Sequence, residues 1–296
     1  MDILSIDSLS DKDIAAILDT ADLYFSGNRG RRSSERLHGQ VVFNLFYENS
    51  TRTAMSFATA AHRLGASPIT LSVERSSVAK GETLEDTART LNAMRPDALV
   101  IRHRENGAPA AVALIMDAPV LNAGDGTNEH PTQALLDAAT LRHRLGSLEG
   151  LKVAICGDIR HSRVARSNAK LLPRLGAEVR LAGPPQLMPD GVPQLSIDEA
   201  IEGADVVMML RVQRERLEAE LGDAPGEYLA RYGLTSERLA GASPEAVVMH
   251  PGPMNRGVEI EDRIADDPDR SLITLQVGMG VAVRMACLEL VISSAA

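Results

Sequence analysis

The sequence predicts an α/β protein of two domains, each a parallel sheet flanked by helices, with the active site in the cleft between them. Three observations carry this. Short apolar runs alternate with segments of helical spacing, the pattern of βαβ units. The alternation restarts after "GSLEG" at 146–150. The chain of 296 residues is long for one core.

The elements follow in chain order. Residues 11–25 read as a helix, and "QVVFNLFY" (40–47) as a buried strand. "AMSFATAAHRLG" resumes helical spacing, giving a helix over 51–64. "PITLSV" (68–73) is a strand, 82–94 a helix and "ALVIRH" (98–103) a strand. A helix at 107–117 leads to the strand "PVLNAG" (119–124). Pro131 suits the first turn of the next helix, "HPTQALLDAATLRHRLG". In the second half, "LKVAICG" is a strand, 162–175 a helix, "EVRLAG" a strand, "IDEAIEGA" a helix and "DVVMML" a strand. "EAVVMHPG" and a long apolar helix from about residue 278 complete the chain. The sequence shows no repeat of solenoid type and no low-complexity segment.

Composition narrows the class. Hydrophobic residues make up 44% and charged residues 24%, ordinary for a soluble globular protein. No window is expected to reach the roughly 18 apolar residues of a membrane span. The start, "MDILSIDSLSDKD", lacks the basic beginning and apolar core of a signal peptide. Cys156 and Cys287 cannot make a disulfide framework and both sit in apolar stretches, which fits a reducing cytoplasm. The net charge of −9 argues against nonspecific nucleic-acid binding. Local anion binding is still expected where arginines cluster with hydroxyls and histidines.

One such cluster is "YENSTRTAMSF" (47–57), where a strand gives way to a helix. Ser50, Thr51, Arg52 and Thr53 put three hydroxyls and a guanidinium in four positions. In open parallel sheets, ligands bind beyond the carboxyl ends of strands. Unpaired N–H groups and the helix dipole favour an anion there. The alternative is an ordinary N-cap with Arg52 turned to water. Four more strand ends carry similar groups: Arg102 and His103; His130; Arg160, His161, Arg163 and Arg166; Arg211 and Gln213. A lone loop arginine is usually solvated and a lone histidine usually structural. Five strand ends bearing Arg, His or Gln together suggest cations facing a common cleft and a doubly anionic substrate pair.

The motifs "STRTAMSF", "KGETLEDT", "VIRH", "HPTQALLD", "GDIRHSRVARSN", "MLRVQRER" and "HPGPMNRGVEI" occur in this order over nearly all the chain. In order and spacing they resemble the catalytic chains of the aspartate carbamoyltransferases. The first four mark the wider transcarbamoylase family. "HPTQ" in place of the ornithine enzymes' "HPCQ", and "HPGPMNRG" in place of their "HCLP", point to aspartate.

The resemblance implies transfer of a carbamoyl group from carbamoyl phosphate to the amine of L-aspartate, on the path to pyrimidines. It implies a carbamoyl phosphate-binding domain at 1–134, a linking helix at 135–149, an aspartate-binding domain at 150–277 and a C-terminal helix, 278–296, packed back on the first domain. Ser50, Thr51, Arg52, Thr53 and Arg102 would hold the phosphate. Thr53, Arg102 and His130 would donate to the carbamoyl oxygen, while Gln133 and carbonyls around Gly252 and Pro253 would accept from its amide. Arg163 and Arg211, assisted by Gln213, would bind the two carboxylates of aspartate. Ser76 and Lys80 would come from a mobile loop of a neighbouring chain in a homotrimer, and Lys80 would touch both substrates. A regulatory or dihydroorotase-like chain is the further partner the resemblance suggests.

The expected chemistry is direct attack of the amine on the carbamoyl carbon. No Ser–His–acid pattern, metal-ligand spacing or need for a cofactor is apparent. Thr53, Arg102 and His130 would stabilise the oxyanion, with His130 a neutral donor among arginines. Phosphate is the favoured proton acceptor. The chain departs from the usual "STRTRTSFE": Ala54 replaces the second arginine and Ala58 the glutamate. These positions are four apart on a helix, so an ion pair is lost as a pair. Two alternatives stay open. One is a transcarbamoylase for another amino acid. The other is a noncatalytic transcarbamoylase-like scaffold, against which the retained cradle, Lys80, Arg163 and Arg211 argue.

Overall fold

The computed structural model describes residues 1–27, 34–73, 77–213 and 225–294. The chain divides into two compact units, 1–139 with 277–296, and 140–276.

The first unit begins with α1 (Asp11–Ser26), started by a capping box in which Ser10 and Asp13 satisfy each other's backbone N–H groups. Then come β1 (Val41–Phe46), α2 (Thr51–Arg63), β2 (Ser67–Ser72), α3 (Leu84–Ala93), β3 (Ala98–His103), α4 (Ala108–Ala113), β4 (Val120–Asp125) and α5 (Pro131–Leu145). The strands form a parallel sheet in the order β2-β1-β3-β4. Every residue of β4 is buried, the polar Asn122 and Asp125 among them. Phe43, Leu45, Leu99, Ile101, Val112 and Val120 pack together as core. The N-terminal segment extends the pairing: Ile3 N donates to Val120 O, and Asn122 N donates to Ile3 O.

The second unit repeats the plan with β5 (Lys152–Cys156), α6 (Arg163–Arg174), β6 (Glu178–Ala182), α7 (Ile197–Ile201), β7 (Val206–Met209), α8 (Pro225–Tyr232), α9 (Ser236–Leu239), β8 (Val247–Met249) and α10 (Asp262–Ala265). Its parallel sheet has the order β6-β5-β7-β8. Ala154, Cys156, Ile197, Val207, Met209 and Leu234 lie in its core. The final helix, α11 (Ile273–Ser293), begins in this unit and continues into the first.

In each sheet the first strand is internal, and the chain steps to one side and then to the other. The order therefore reverses between β1 and β3, and again between β5 and β7. Such switch points open a crevice beyond the carboxyl ends of the strands.

Three elements differ from expectation. The helix expected over 107–117 stops at Ala113, because Ile115 N bonds back to Val112 O and tightens the turn. Asn92 then clamps the exit, accepting from Asp117 N and donating to its carboxylate. The helix expected over 197–204 ends at Ile201, since Gly203 turns at φ +60° and its N–H bonds to Gly241 O. The last helix starts at Ile273, five residues earlier than expected. It also corrects the membrane-span expectation, being long and apolar enough to cross a membrane by length and composition. Of its most apolar stretch, 67% is buried inside the protein, so that surface serves the core.

Candidate active site

The start of α2 is unlike the other helix starts at a Ser or Thr N-cap. Among the described residues, Ser10, Thr83, Ser162, Ser196 and Thr235 each accept a backbone N–H in the first turn of their helix. Ser50 occupies the N-cap of α2 but its side chain makes no cap hydrogen bond. The first turn of α2 also holds no acidic residue. The ordinary-cap reading of this stretch is therefore not what forms. A helix end without a side-chain cap is a place where an anion can meet backbone N–H groups. Thr51 and Arg52 are exposed, while Thr53 is buried. Phe57, Ala60 and Ala61, fully buried, anchor the rest of the helix.

Arg102 lies beside this helix start because β3 neighbours β1, with Phe46 opposite Arg102 in the register. Tyr47 N donates to Arg102 O at 2.9 Å, tying the strand end to the cradle. The guanidinium Nε donates to Glu48 Oε2 at 2.9 Å, and Nη1 reaches Ala123 O on β4 at 3.5 Å. Only 15% of the Arg102 side chain is exposed, so Glu48 balances its charge within a partly dry site. His103 turns the other way. Its Nδ1 accepts from Glu105 N at 3.0 Å, and its ring lies 4.6 Å from that of Tyr47. Burial lowers its pKa, which suits a neutral acceptor. His103 shapes the turn rather than meeting a ligand.

His130 follows β4 and immediately precedes α5, and it is buried. The adjoining Glu129 is held from two sides: its backbone carbonyl accepts from Asp125 N, and its carboxylate accepts from Ile6 N at 2.9 Å. Gln133, one turn along α5, donates from Nε2 to Asp137 Oδ1 at 2.9 Å. That bond orients the amide, leaving Gln133 Oε1 as the acceptor. The structure thus gathers Ser50–Thr53, Arg102, His130 and Gln133 at the carboxyl ends of three adjacent strands. Lys80 follows β2, which pairs with β1 on the side away from β3. It is exposed on a short 3₁₀ turn, Ser77–Lys80, following β2 at the sheet edge. Ser76 lies outside the described residues.

The second unit assembles its own cations at its own switch point. Arg163 is the first residue of α6 after β5, where Ser162 caps the helix in the ordinary way. Arg211 and Gln213 follow β7 and are exposed, with fully buried Val212 between them. Val212 O accepts from Asn255 Nδ2 at 2.9 Å, which ties this segment to the loop after β8. That loop carries Gly252 and Pro253. Gly252 N donates to His250 Nδ1 at 2.8 Å, and His250 Nε2 lies 3.3 Å from Glu259 Oε1. Two of the other candidates in "GDIRHSR" are structural. Arg160 Nε donates to Met188 O at 3.0 Å, and His161 Nδ1 sits 2.9 Å from the buried Asp158.

Sequence reasoning missed the residues that hold these groups: Glu48, Asn255 and Asp137. Only Asp137 left a signal, the four-residue spacing from Gln133 that lets two side chains meet on a helix. The cysteines have no part in the site. Both are fully buried, and burial pushes each thiol up to about 12, far from a nucleophilic thiolate.

Fold and site together define a class: a two-unit α/β protein with arginines at the switch point of each sheet and a run of hydroxyls beside those of the first. Comparison with known proteins narrows it. Residues 1–143 match the aspartate/ornithine carbamoyltransferase carbamoyl-P binding domain, and 149–291 match the Asp/Orn binding domain of the same enzymes. The aspartate carbamoyltransferase catalytic subunit of Granulibacter bethesdensis is 57% identical over 294 residues, covering 97% of this chain and 93% of that one. The catalytic subunit from Rhodospirillum rubrum is 55% identical over 294 residues, covering 97% and 92%. Aspartate transcarbamoylase from Trypanosoma cruzi, solved with carbamoyl aspartate and phosphate, superposes with a TM-score of 0.87 at 34% identity, covering 97% of this chain and 94% of that one. The same enzyme with N-(phosphonacetyl)-L-aspartic acid gives a TM-score of 0.85 at 34% identity, with the same coverage. This chain belongs to the aspartate/ornithine carbamoyltransferase family.

Proposed function

We infer that the chain transfers the carbamoyl group of carbamoyl phosphate to the amine of L-aspartate, releasing N-carbamoyl-L-aspartate and phosphate on the path to pyrimidines. The observation that carries the residue-level reading is the N-terminus of α2, where Ser50 leaves its hydroxyl uncommitted beside Arg52 and Arg102. A dianionic phosphate fits that set of donors.

In this reading Ser50, Thr51, Arg52, Thr53 and Arg102 hold the phosphate. Gln133 Oε1 and carbonyls around Gly252 and Pro253 accept from the carbamoyl amide. Arg163 and Arg211 take the two carboxylates of aspartate, with Gln213 beside them. The unprotonated amine attacks the carbamoyl carbon, and the carbonyl π electrons move to oxygen. Thr53, Arg102 and neutral His130 stabilise that oxyanion; one such donor is worth about 3–4 kcal/mol of barrier. Collapse breaks the bond to phosphate, which leaves with the electron pair and accepts the amine proton.

The test is a carbamoylation assay with L-aspartate and L-ornithine offered in turn. Turnover with aspartate, inhibited by succinate, is expected. Turnover with ornithine alone overturns the substrate assignment, and none with either leaves the scaffold alternative.

The assembly belongs to the same proposal: a cytoplasmic homotrimer in which Ser76 and Lys80 complete a neighbour's site, open to a regulatory or dihydroorotase-like chain. The exposure of Lys80 beyond the edge strand β2 supports sharing. Arg52→Ala and Lys80→Ala chains, each nearly inactive, are dissociated, mixed equally and reassembled. Random rings should recover about a quarter of all sites. Proven exchange without recovery refutes sharing.

A further inference from the structure

Asn255 lies in the loop between β8 and α10, and the reaction scheme gives it no role. The scheme does depend on the segment it touches. Along 210–213 burial alternates: Leu210 and Val212 are buried, Arg211 and Gln213 exposed. The sheet holds the start of this segment, where Leu210 N donates to Cys156 O at 2.8 Å, but residues 210–213 lie in no strand or helix. Beyond Leu210 the turn at 255–258 takes over, touching Val212 twice. The Val258 side chain packs with Val212, Leu187 and Tyr228 in one buried cluster. Asn255 Nδ2 donates to Val212 O at 2.9 Å. A peptide carbonyl can only accept, so the amide is fixed with Nδ2 toward Val212. The turn is itself braced. Val258 N donates to Asn255 O at 3.1 Å. Asn255 N donates to Glu259 Oε1, an oxygen of a fully buried side chain that also lies 3.3 Å from His250 Nε2. All of these residues belong to the second unit, 140–276.

We propose that Asn255 is a positioning residue for the aspartate subsite: by holding the Val212 carbonyl from a braced turn, it fixes the backbone that carries Arg211 and Gln213. The Val212 carbonyl is part of the planar peptide unit that leads into Gln213, and Val212 is also the next residue after Arg211. Anchoring that one peptide, with the Val212 side chain buried beneath it, restricts the chain on both sides. An arginine that clamps a carboxylate through two N–H groups tolerates little angular error. Without the Asn255 donor the turn no longer grips the carbonyl. The ligand then has to order the segment as it binds, which lowers its affinity. The inference rests on the reading of Arg211 and Gln213 as aspartate contacts. It predicts a loss of dicarboxylate affinity with phosphate affinity unchanged.

The probes are succinate, a dicarboxylate, and inorganic phosphate. Their Kd values are measured by calorimetry on the full chain, succinate in the presence of saturating phosphate. The parent, Asn255→Leu and Asn255→Asp are compared, each with a melting curve. Asn255→Leu keeps the branched shape and removes the donor. Asn255→Asp keeps the shape and turns an acceptor towards the carbonyl. Succinate should weaken about tenfold in Asn255→Leu and further in Asn255→Asp, with phosphate changed less than about twofold. A role confined to stability would lower Tm and leave both Kd values in place, and that result overturns the proposal. Equal weakening of both ligands overturns it too, since the effect would not be particular to the aspartate subsite. If Asn255→Leu does not fold, Asn255→Asp decides the matter by the same comparison. A further variant set separates aim from contact. With Arg211→Ala and Gln213→Ala already in place, adding Asn255→Leu should leave the residual succinate affinity where it was. A further tenfold loss there would mean that Asn255 acts elsewhere, and sinks the idea. If the parent binds no succinate, the aspartate reading itself fails and takes the inference with it. If the parent binds succinate and the Asn255 variants bind it equally well, the inference alone fails.

Discussion

Replacing Arg52 by alanine tests the cradle most directly. Arg52 is the second residue of α2 and is exposed, so the change removes no core packing. Alanine is also the best helix former, and exposed substitutions of this kind shift stability by about 0.5 kcal/mol at most. For units of this size that is about 2 °C in Tm. The loss in function is of another order. A charge-assisted contact to a dianion is worth about 1.5–3 kcal/mol in the bound ground state. Charge stabilisation that develops in the transition state brings the loss to about 3–4 kcal/mol, or two to three orders of magnitude in kcat/KM. The assay pairs initial rates at varied carbamoyl phosphate with a melting curve. A melt within a few degrees and a rate below about one-hundredth of the parent are expected. Near-normal kcat/KM in a folded variant would refute the anion-cradle reasoning, because the α2 terminus would then hold no phosphate.

Gly157→Ala probes the second switch point: its φ is +131°, and a Cβ would meet Leu210 O at 2.9 Å. Backbone strain alone should cost about 1–3 kcal/mol, and the disturbed β5 and β7 ends should raise KM for aspartate more than for carbamoyl phosphate; an unchanged Tm counts against the close approach. Cys156 and Cys287 should resist a thiol reagent at pH 8 in the native protein and react fully in urea; rapid native labelling would contradict their burial. Both thiols have pKa values raised from 9.0 to about 12 in the fold, so the native state keeps protons the unfolded chain loses. Their contribution is complete below pH 9 and is lost as pH rises towards 12, so Tm should fall across that window, and less steeply in a Cys156→Ala variant. If the proposed function holds, a ligand joining a phosphonate to two carboxylates should bind at least about 100-fold more tightly than succinate; equal affinities for the empty enzyme would show that the two sets of cations do not act together.

The local sequence of this protein carried what depends on near neighbours along the chain. Short continuous apolar runs marked β1, β3 and β5, and the change to helical spacing at Thr51 placed the cradle at a helix start. Those signals are local because a strand buried on both faces reads as one unbroken apolar run, while a helix repeats its buried side every 3.6 residues. The family motifs added the substrate. Tertiary structure alone decided the rest. That β1 has β2 on one side and β3, with Arg102, on the other follows from strand order, which depends on burying both sheet faces against helices distant in sequence. Glu48 meets Arg102 across 54 positions, and Asn255 steadies Val212 across 43. No spacing rule reaches that far. The hydroxyl of Ser50 reads like that of Ser10 or Ser162 in sequence, yet only the folded backbone leaves it outside the cap. Arg284 lies within the long apolar helix α11. Packing set its guanidinium over Phe57, and Gly280, having no side chain, lets α11 come close to Leu136 on α5.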